Sequence, residues 1–279
     1  MIFFKKYKYN TEQELVRQIQ ILNYPILEYY TKKDSPHTYY SLFPSLRKHK
    51  RFDNRSSVIE NNGKNNKFIL LDDNGNQLSQ KYLKNLKIKF LGDNNTVIFY
   101  AATKLLSETI LTCTSNNLVN VKKTKYHLGF STFNPLSEGS ELIIGENTSI
   151  EHATFILWDE PNLKIEIGDN CMLSHNVVFR PSDGHTILDS VGNILNFPKN
   201  IYLGNHCWVG SNVTFLKGSL IPKNSIIGIN SLYTASSNPV EEYTDGAIFV
   251  GSPAKIIKTG INWDRDNTYN YKKQNINTI

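Results

Sequence analysis

Between Leu203 and Tyr233 an apolar or aromatic residue returns at every sixth position: Leu203, Val209, Phe215, Ile221, Ile227 and Tyr233. Four positions after each of the first five stands a small residue: Cys207, Val213, Ser219, Ser225 and Ser231. A period of six fits neither the 3.6 of an α-helix nor the 2 of a strand with one buried face. It fits a parallel β-helix, in which each hexapeptide is a short strand plus a turn and three of them make a coil of about eighteen residues. The large residue fills the coil interior. The small one sits near a corner, where a bulkier side chain would clash.

Composition narrows the setting. With 279 residues the chain is long enough for one long domain or two small ones, its 39% hydrophobic content suffices for a real core, and its formal charge of +6 is a mild basic excess. Such an excess suits a solvated surface or an anionic ligand. Three cysteines without paired spacing argue against disulfides and against a CxxC metal site. Cys171 and Cys207 hold the small corner slot of their hexapeptides and read as buried structural thiols. Three lysines follow three apolar residues at the start, which is unlike a signal peptide. No apolar run reaches the roughly eighteen residues of a membrane span.

Along the chain three regions are expected. Residues 1–85 read as a helical and hairpin region, available for acceptor or partner contacts. Thr11-Glu12-Gln13-Glu14 has a capping-box pattern, followed by Leu15, Ile19 and Leu22 at helical spacing. Arg47-Lys48-His49-Lys50-Arg51 is a basic run, either a solvated face or a docking patch for an acidic glycan or anionic membrane. Phe68 to Leu71 and Asp73-Asn74-Gly75 suggest a hairpin. Residues 86–262 read as the β-helix, regular from 142, and residues 263–279 as a disordered polar tail. In the regular part Ile144, Ile167, Leu203 and Ile221 are expected to stack as one side of successive coils. An excursion of about twenty residues, 181–200, then leaves at a coil corner. Loops of that length in a regular scaffold are usually functional.

That loop holds His185, the lead catalytic candidate. Asp183 and Asp189 flank it, and either carboxylate could hold one ring nitrogen and raise the basicity of the other. Such a dyad could deprotonate a hydroxyl. His152, His175 and His206 compete as zinc ligands, but no His-x4-His pair occurs and no metal is expected. No P-loop, dinucleotide-binding glycine pattern or Gly-x-Ser-x-Gly elbow is present.

Several stretches together resemble a known family. They are Ser182-Asp183-Gly184-His185 with Asp189, Asn196-Phe197-Pro198-Lys199, and Leu203-Gly204-Asn205-His206-Cys207-Trp208-Val209-Gly210. Leu216-Lys217-Gly218-Ser219, Asn224-Ser225-Ile226-Ile227-Gly228 and Gly251-Ser252-Pro253-Ala254-Lys255 complete the set. The second half of the chain resembles the hexapeptide-repeat, left-handed β-helix acyltransferases. Within them it is similar to bacterial capsular and O-antigen polysaccharide O-acetyltransferases, sialic-acid and polysialic-acid enzymes included. The resemblance implies acetyl-CoA as donor, a polysaccharide acceptor, a cytoplasmic setting with peripheral contact at the inner membrane, and no nucleic acid. It also implies a homotrimer with active sites between subunits. His185 matches the catalytic histidine and Trp208 a tryptophan near the thioester. Lys217 and Lys255 match basic positions near the coenzyme, and Gly210 lies where a backbone N–H could serve the oxyanion. Tyr233 stands where a valine is usual and is counted with the donor-binding residues. Asn230 is expected in a left-handed turn. Two other readings stay open: transfer to a small-molecule or nucleotide-sugar acceptor, and a non-enzymatic β-helix scaffold.

Overall fold

The computed structural model describes residues 3–9, 15–21, 24–31, 38–42, 58–79, 83–132, 134–239 and 246–275. The chain forms two compact units, residues 1–53 and 54–279.

The first unit is a four-stranded antiparallel sheet in chain order: β1 (Phe3–Tyr9), β2 (Leu15–Ile21), β3 (Tyr24–Thr31) and β4 (Thr38–Leu42). This corrects the helical expectation for the region. Leu15 to Ile21 also alternates, with Leu15, Ile19 and Ile21 at one set of alternate positions, interrupted by Arg17, and Gln18 and Gln20 at the other, and its neighbours are rich in tyrosine. Cross-strand pairing on both sides of β2 decides for the period of two. The capping-box residues and the Arg47–Arg51 run lie outside the described residues.

The second unit is a β-helix of parallel strands. One side runs through Lys67–Leu71, Thr96–Tyr100, Leu118–Val121, Glu141–Ile144, Lys164–Ile167, Ile201–Leu203 and Leu220–Ile221. Along it Ile144, Ile167, Leu203 and Ile221 are in register, as the period required. A second side aligns Ile150, Leu173, Val209, Ile227 and Phe249. A third aligns Phe155, Phe179, Phe215 and Tyr233.

The coils begin earlier than residue 86. Val58–Asn61 pairs in parallel with Leu86–Phe90, and Lys67–Leu71 with Thr96–Tyr100. The Asn- and Lys-rich turn between these strands, and an excursion after Leu71, hide the period in the sequence. The Asp73-Asn74-Gly75 turn does form, closing an antiparallel Leu71–Gln77 bridge.

Inside, aromatic rings stack coil on coil. Phe155, Phe179 and Phe215 have ring centroids 5.2 and 4.8 Å apart and are fully buried. At the corners the chain repeatedly enters the left-handed region. Among the described residues twelve non-glycine positions have positive φ, and eleven are asparagine, Asn230 included. Asparagine tolerates that conformation, and its amides bond along the corner, as in Asn176–Asn212–Asn230. This accounts for eleven of the chain's 33 asparagines. The twelfth is His206, with φ 55°.

Residues 263–275 pack onto the β-helix, where a disordered tail was expected. Trp263 is buried and Thr268–Asn275 is a helix. Arg265 explains the anchoring. Its guanidinium donates to Ser149 Oγ (2.7 Å) and to the carbonyls of Asn147, Asn170 and Cys171, and lies 4.2 Å from the Tyr126 ring. One side chain thus satisfies corner carbonyls of two coils and straps the segment across them. Cys113, Cys171 and Cys207 are free and buried, and burial pushes the Cys113 thiol up to about 12.

Candidate active site

The loop 181–200 leaves after the third-side strand Val177–Arg180 and returns to the first-side strand Ile201–Leu203. Its neck closes where the Lys199 N–H donates to the Pro181 carbonyl at 3.0 Å. Farther out it is a hairpin, with an antiparallel Leu188–Ile194 bridge.

A polar cluster fixes the base of this loop. The Lys217 ammonium donates to Asp183 Oδ2 and to the Asn196 carbonyl (3.0 Å). Asn196 Nδ2 donates to Asp183 Oδ2 (2.9 Å) and to the His185 carbonyl (2.7 Å). Arg180 reaches the carbonyls of Ser182 and Asp183 and faces Asp159 at 3.5 Å. Gly184, at φ +76°, packs against that Arg180–Asp159 pair, so a side chain there would be strained. His185 is thereby held through its backbone while its exposed ring makes no hydrogen bond among the described residues.

The carboxylates therefore differ from expectation. Asp183 is engaged by Lys217 first and Asn196 second, which hold its carboxyl below the usual carboxylate range. Asp189 accepts from the side chain and backbone of Asn193 and the backbone of Val191, so it shapes the hairpin tip. Neither bonds the His185 ring. Both position the loop that carries it.

The remaining candidates divide. Trp208 is 39% exposed on the second side of the coil, whereas His185 leaves after the third. Lys217 lies at the loop base, paired with Asp183, and not on an open surface. Lys255 is exposed on the strand Ala254–Ile261. The Gly210 N–H already donates to the Ile227 carbonyl (2.8 Å), so it cannot serve an oxyanion as well. Glycine is needed there by coil stacking, because a Cβ would stand 2.7 Å from the Ile229 nitrogen. Tyr233 is fully buried, with its hydroxyl bonded to the Leu220 carbonyl (3.2 Å). The extra volume over valine goes into the aromatic stack, and a buried ring cannot contact a bound donor.

The sequence reading missed the setting of Trp208. The Trp263 indole stacks on His206 at 4.4 Å, donates to the His206 carbonyl at 2.8 Å, and lies 6.1 Å from the Trp208 ring. With Met172, Ile226 and Tyr271 these tryptophans line a cleft of about 700 Å³. A tryptophan inside a polar terminal segment was the available signal. Among the described residues no group of three or more His, Cys, Asp or Glu side chains is arranged to hold a metal. No described helix is long and apolar enough to cross a membrane.

A hydroxyl brought to the exposed His185 ring could lose its proton to it, and a cleft of this volume, with tryptophan on one wall and Asp264, Asp266 and Arg265 also lining it, could hold part of a coenzyme. No protein-family model matches the chain. Over 130 residues, 46% of this chain, it is 32% identical to the polysialic acid O-acetyltransferase of Escherichia coli O1:K1 / APEC, of which it covers 40%. Over 139 residues, 49% of this chain, it is 34% identical to the galactoside O-acetyltransferase of Escherichia coli K12, covering 62% of that protein. The chain thus spans less than two thirds of the length of either curated relative. The crystal structure of the polySia-specific acetyltransferase NeuO superposes with a TM-score of 0.62 and 28% identity, over 76% of this chain and 91% of that one. The relatives of this chain are O-acetyltransferases, polysialic acid O-acetyltransferases among them, and its fold is similar to that of NeuO.

Proposed function

We propose that the chain is an O-acetyltransferase that moves an acetyl group from acetyl-CoA to a sugar hydroxyl of a bacterial surface polysaccharide. The observation that carries this is the pairing of relatives of that activity with a β-helix whose long loop presents an exposed histidine on a braced backbone. His185 takes the proton of the sugar hydroxyl, and that oxygen attacks the thioester carbonyl. The tetrahedral intermediate collapses, the C–S bond breaks, and His185 returns the proton to the departing CoA thiolate. General-base assistance of this kind is worth about 10²–10⁴-fold. Backbone N–H groups, with the Trp208 indole, are the oxyanion donors in this reading.

A homotrimer completes the site. In one chain His185 and Trp208 belong to different sides of the coil, and a neighbouring copy supplies the missing wall. The loop's exposed Ile187, Leu188, Val191, Leu195 and Phe197 support this, since they are apolar residues without cover in the isolated chain. Cys207 takes no covalent part, because it is buried and burial pushes its thiol well up.

An acidic acceptor such as a sialic-acid polymer fits the basic charge. The test is incubation with acetyl-CoA and a panel of sialylated and neutral glycans, read by mass for added acetyl groups. Acetylation of sialylated polymer supports the reading, and acetylation of neutral glycans alone rejects the acidic acceptor. Turnover with monomeric sugars or nucleotide sugars but not polymer would favour a small-molecule acceptor.

A further inference from the structure

Register aligns Asn147, Asn170, His206 and Asn224 in successive coils, at the corner between the first and second sides. All four have positive φ, and among the described residues His206 is the one such position that is neither glycine nor asparagine. An aromatic side chain gains nothing from that backbone. A residue held in so sparsely populated a region points to something else that fixes it.

Two contacts show what the ring does. Its Nδ1 stands 3.0 Å from Asn224 Oδ1, so as the Nδ1–H tautomer it makes the bond that Asn212 Nδ2 makes to Asn230 Oδ1 (2.9 Å) at the next corner. Histidine thus keeps the corner's amide bond and adds an aromatic face. The Trp263 indole lies on that face, 4.4 Å away and within 8° of parallel, and its Nε1–H donates to the His206 carbonyl at 2.8 Å. An asparagine would offer the carbonyl but no ring. Farther along the same corner Arg265 donates to the carbonyls of Asn147 and Asn170, so the whole segment follows this line of residues.

The position of that segment makes the cleft. The coils contribute Met172, Trp208 and Ile226, and every other lining residue comes from 262–271. Without the segment the half-exposed Trp208 stands on an open coil face. His206 does not line the cleft, so any effect it has there passes through Trp263.

We propose that His206 is a positioning residue for the acetyl donor. It seats the Trp263 indole as the second wall of the cleft, and the two tryptophans, 6.1 Å apart, then hold acetyl-CoA between them. The inference rests on the acetyl-CoA-dependent reading above and deepens it. Asparagine would suit the corner backbone, and histidine stands there because the donor site needs the ring.

The test is His206→Asn in the full chain, which restores the residue used at the other corners and removes only the stacking face. The expected result is a urea midpoint no lower than wild type. KM and Kd for acetyl-CoA should rise about three- to tenfold, the worth of one aromatic pair contact, with kcat little altered. In a Trp263→Ala background the same substitution should add nothing, because the two residues act as a pair. With Trp158→Phe and Trp208→Phe, Trp263 is the remaining tryptophan of the three, and acrylamide should quench its emission more readily once His206 is asparagine. An unchanged KM, an equal effect with and without Trp263, or unchanged quenching would overturn the proposal. A lowered urea midpoint with kcat and KM damaged together would overturn it in favour of a purely structural role. Wild type that neither binds acetyl-CoA nor transfers acetyl groups would remove the enzymatic reading and this proposal with it. Active wild type matched by His206→Asn would overturn this proposal alone.

Discussion

Replacing Asp183 by asparagine should loosen the active loop without unfolding the β-helix. The carboxylate accepts from Lys217 and from Asn196, and Asn196 in turn holds the His185 carbonyl at 2.7 Å. A hydrogen bond to a charged group contributes about 1.5–3 kcal/mol when well buried. The Asp183 side chain is 38% exposed and its lysine partner 23%, so solvent screening reduces this to about 1 kcal/mol. The effect on turnover should be larger, because a histidine displaced by about an ångström costs up to about a hundredfold. The stability loss should also depend on pH. Lys217 holds the Asp183 carboxyl below its ordinary 3.8. Its contribution is therefore complete above that value and is lost as pH falls through the lowered folded value. Urea unfolding of wild type and Asp183→Asn should differ at neutral pH and converge in acid. Acetyl transfer at neutral pH should fall about ten- to a hundredfold. Equal urea midpoints at neutral pH, or a gap that persists at the acid end, would refute the clamp. Unchanged turnover would refute its link to His185.

Other outcomes follow from the same geometry. Phe179→Ala empties the middle of the Phe155–Phe179–Phe215 stack and should cost about 3–5 kcal/mol in urea unfolding; a loss below 1 kcal/mol would mean the core collapses to fill the gap. Arg265→Ala removes the strap over two coil corners, so limited proteolysis should cut within 262–275 while the β-helix survives; resistance equal to wild type would show that Trp263 alone holds the segment. Trp263→Ala should raise the KM for acetyl-CoA more than it lowers kcat, because the cleft beside Trp208 loses a wall. A change in kcat alone would count against that placement.

The β-helix was legible because its constraint is local and repeated. One residue in six must fill a narrow interior, so Leu203 to Tyr233 spell out the coils, and the place where the spelling stops marks the loop. The early coils were hidden because excursions after Leu71 and Asn61 break the count although pairing continues across them. The N-terminal sheet was misread because Leu15, Ile19 and Leu22 satisfy a helical period while Leu15 to Ile21 also alternate. Only the neighbouring strands choose between the two. At the candidate site the sequence pointed to His185 but not to its bracing. Lys217 and Asn196 meet Asp183 from 34 and 13 residues away, separations that carry no pattern in the chain. Tyr233 was misassigned because an aromatic at an inward position can extend a stack or reach outward, and only the ring of Phe249 at 5.2 Å decides.

The most direct measurement is the rate of acetyl transfer from acetyl-CoA to polysialic acid by wild type and by His185→Ala, with matched thermal midpoints as the control for folding. The ring of His185 makes no hydrogen bond among the described residues, so its removal should leave stability unchanged. The expected result is a fall of about 10²–10⁴-fold in kcat with the KM for acetyl-CoA little altered. A variant that folds normally and transfers acetyl groups within a few-fold of the wild-type rate would contradict the account at its centre.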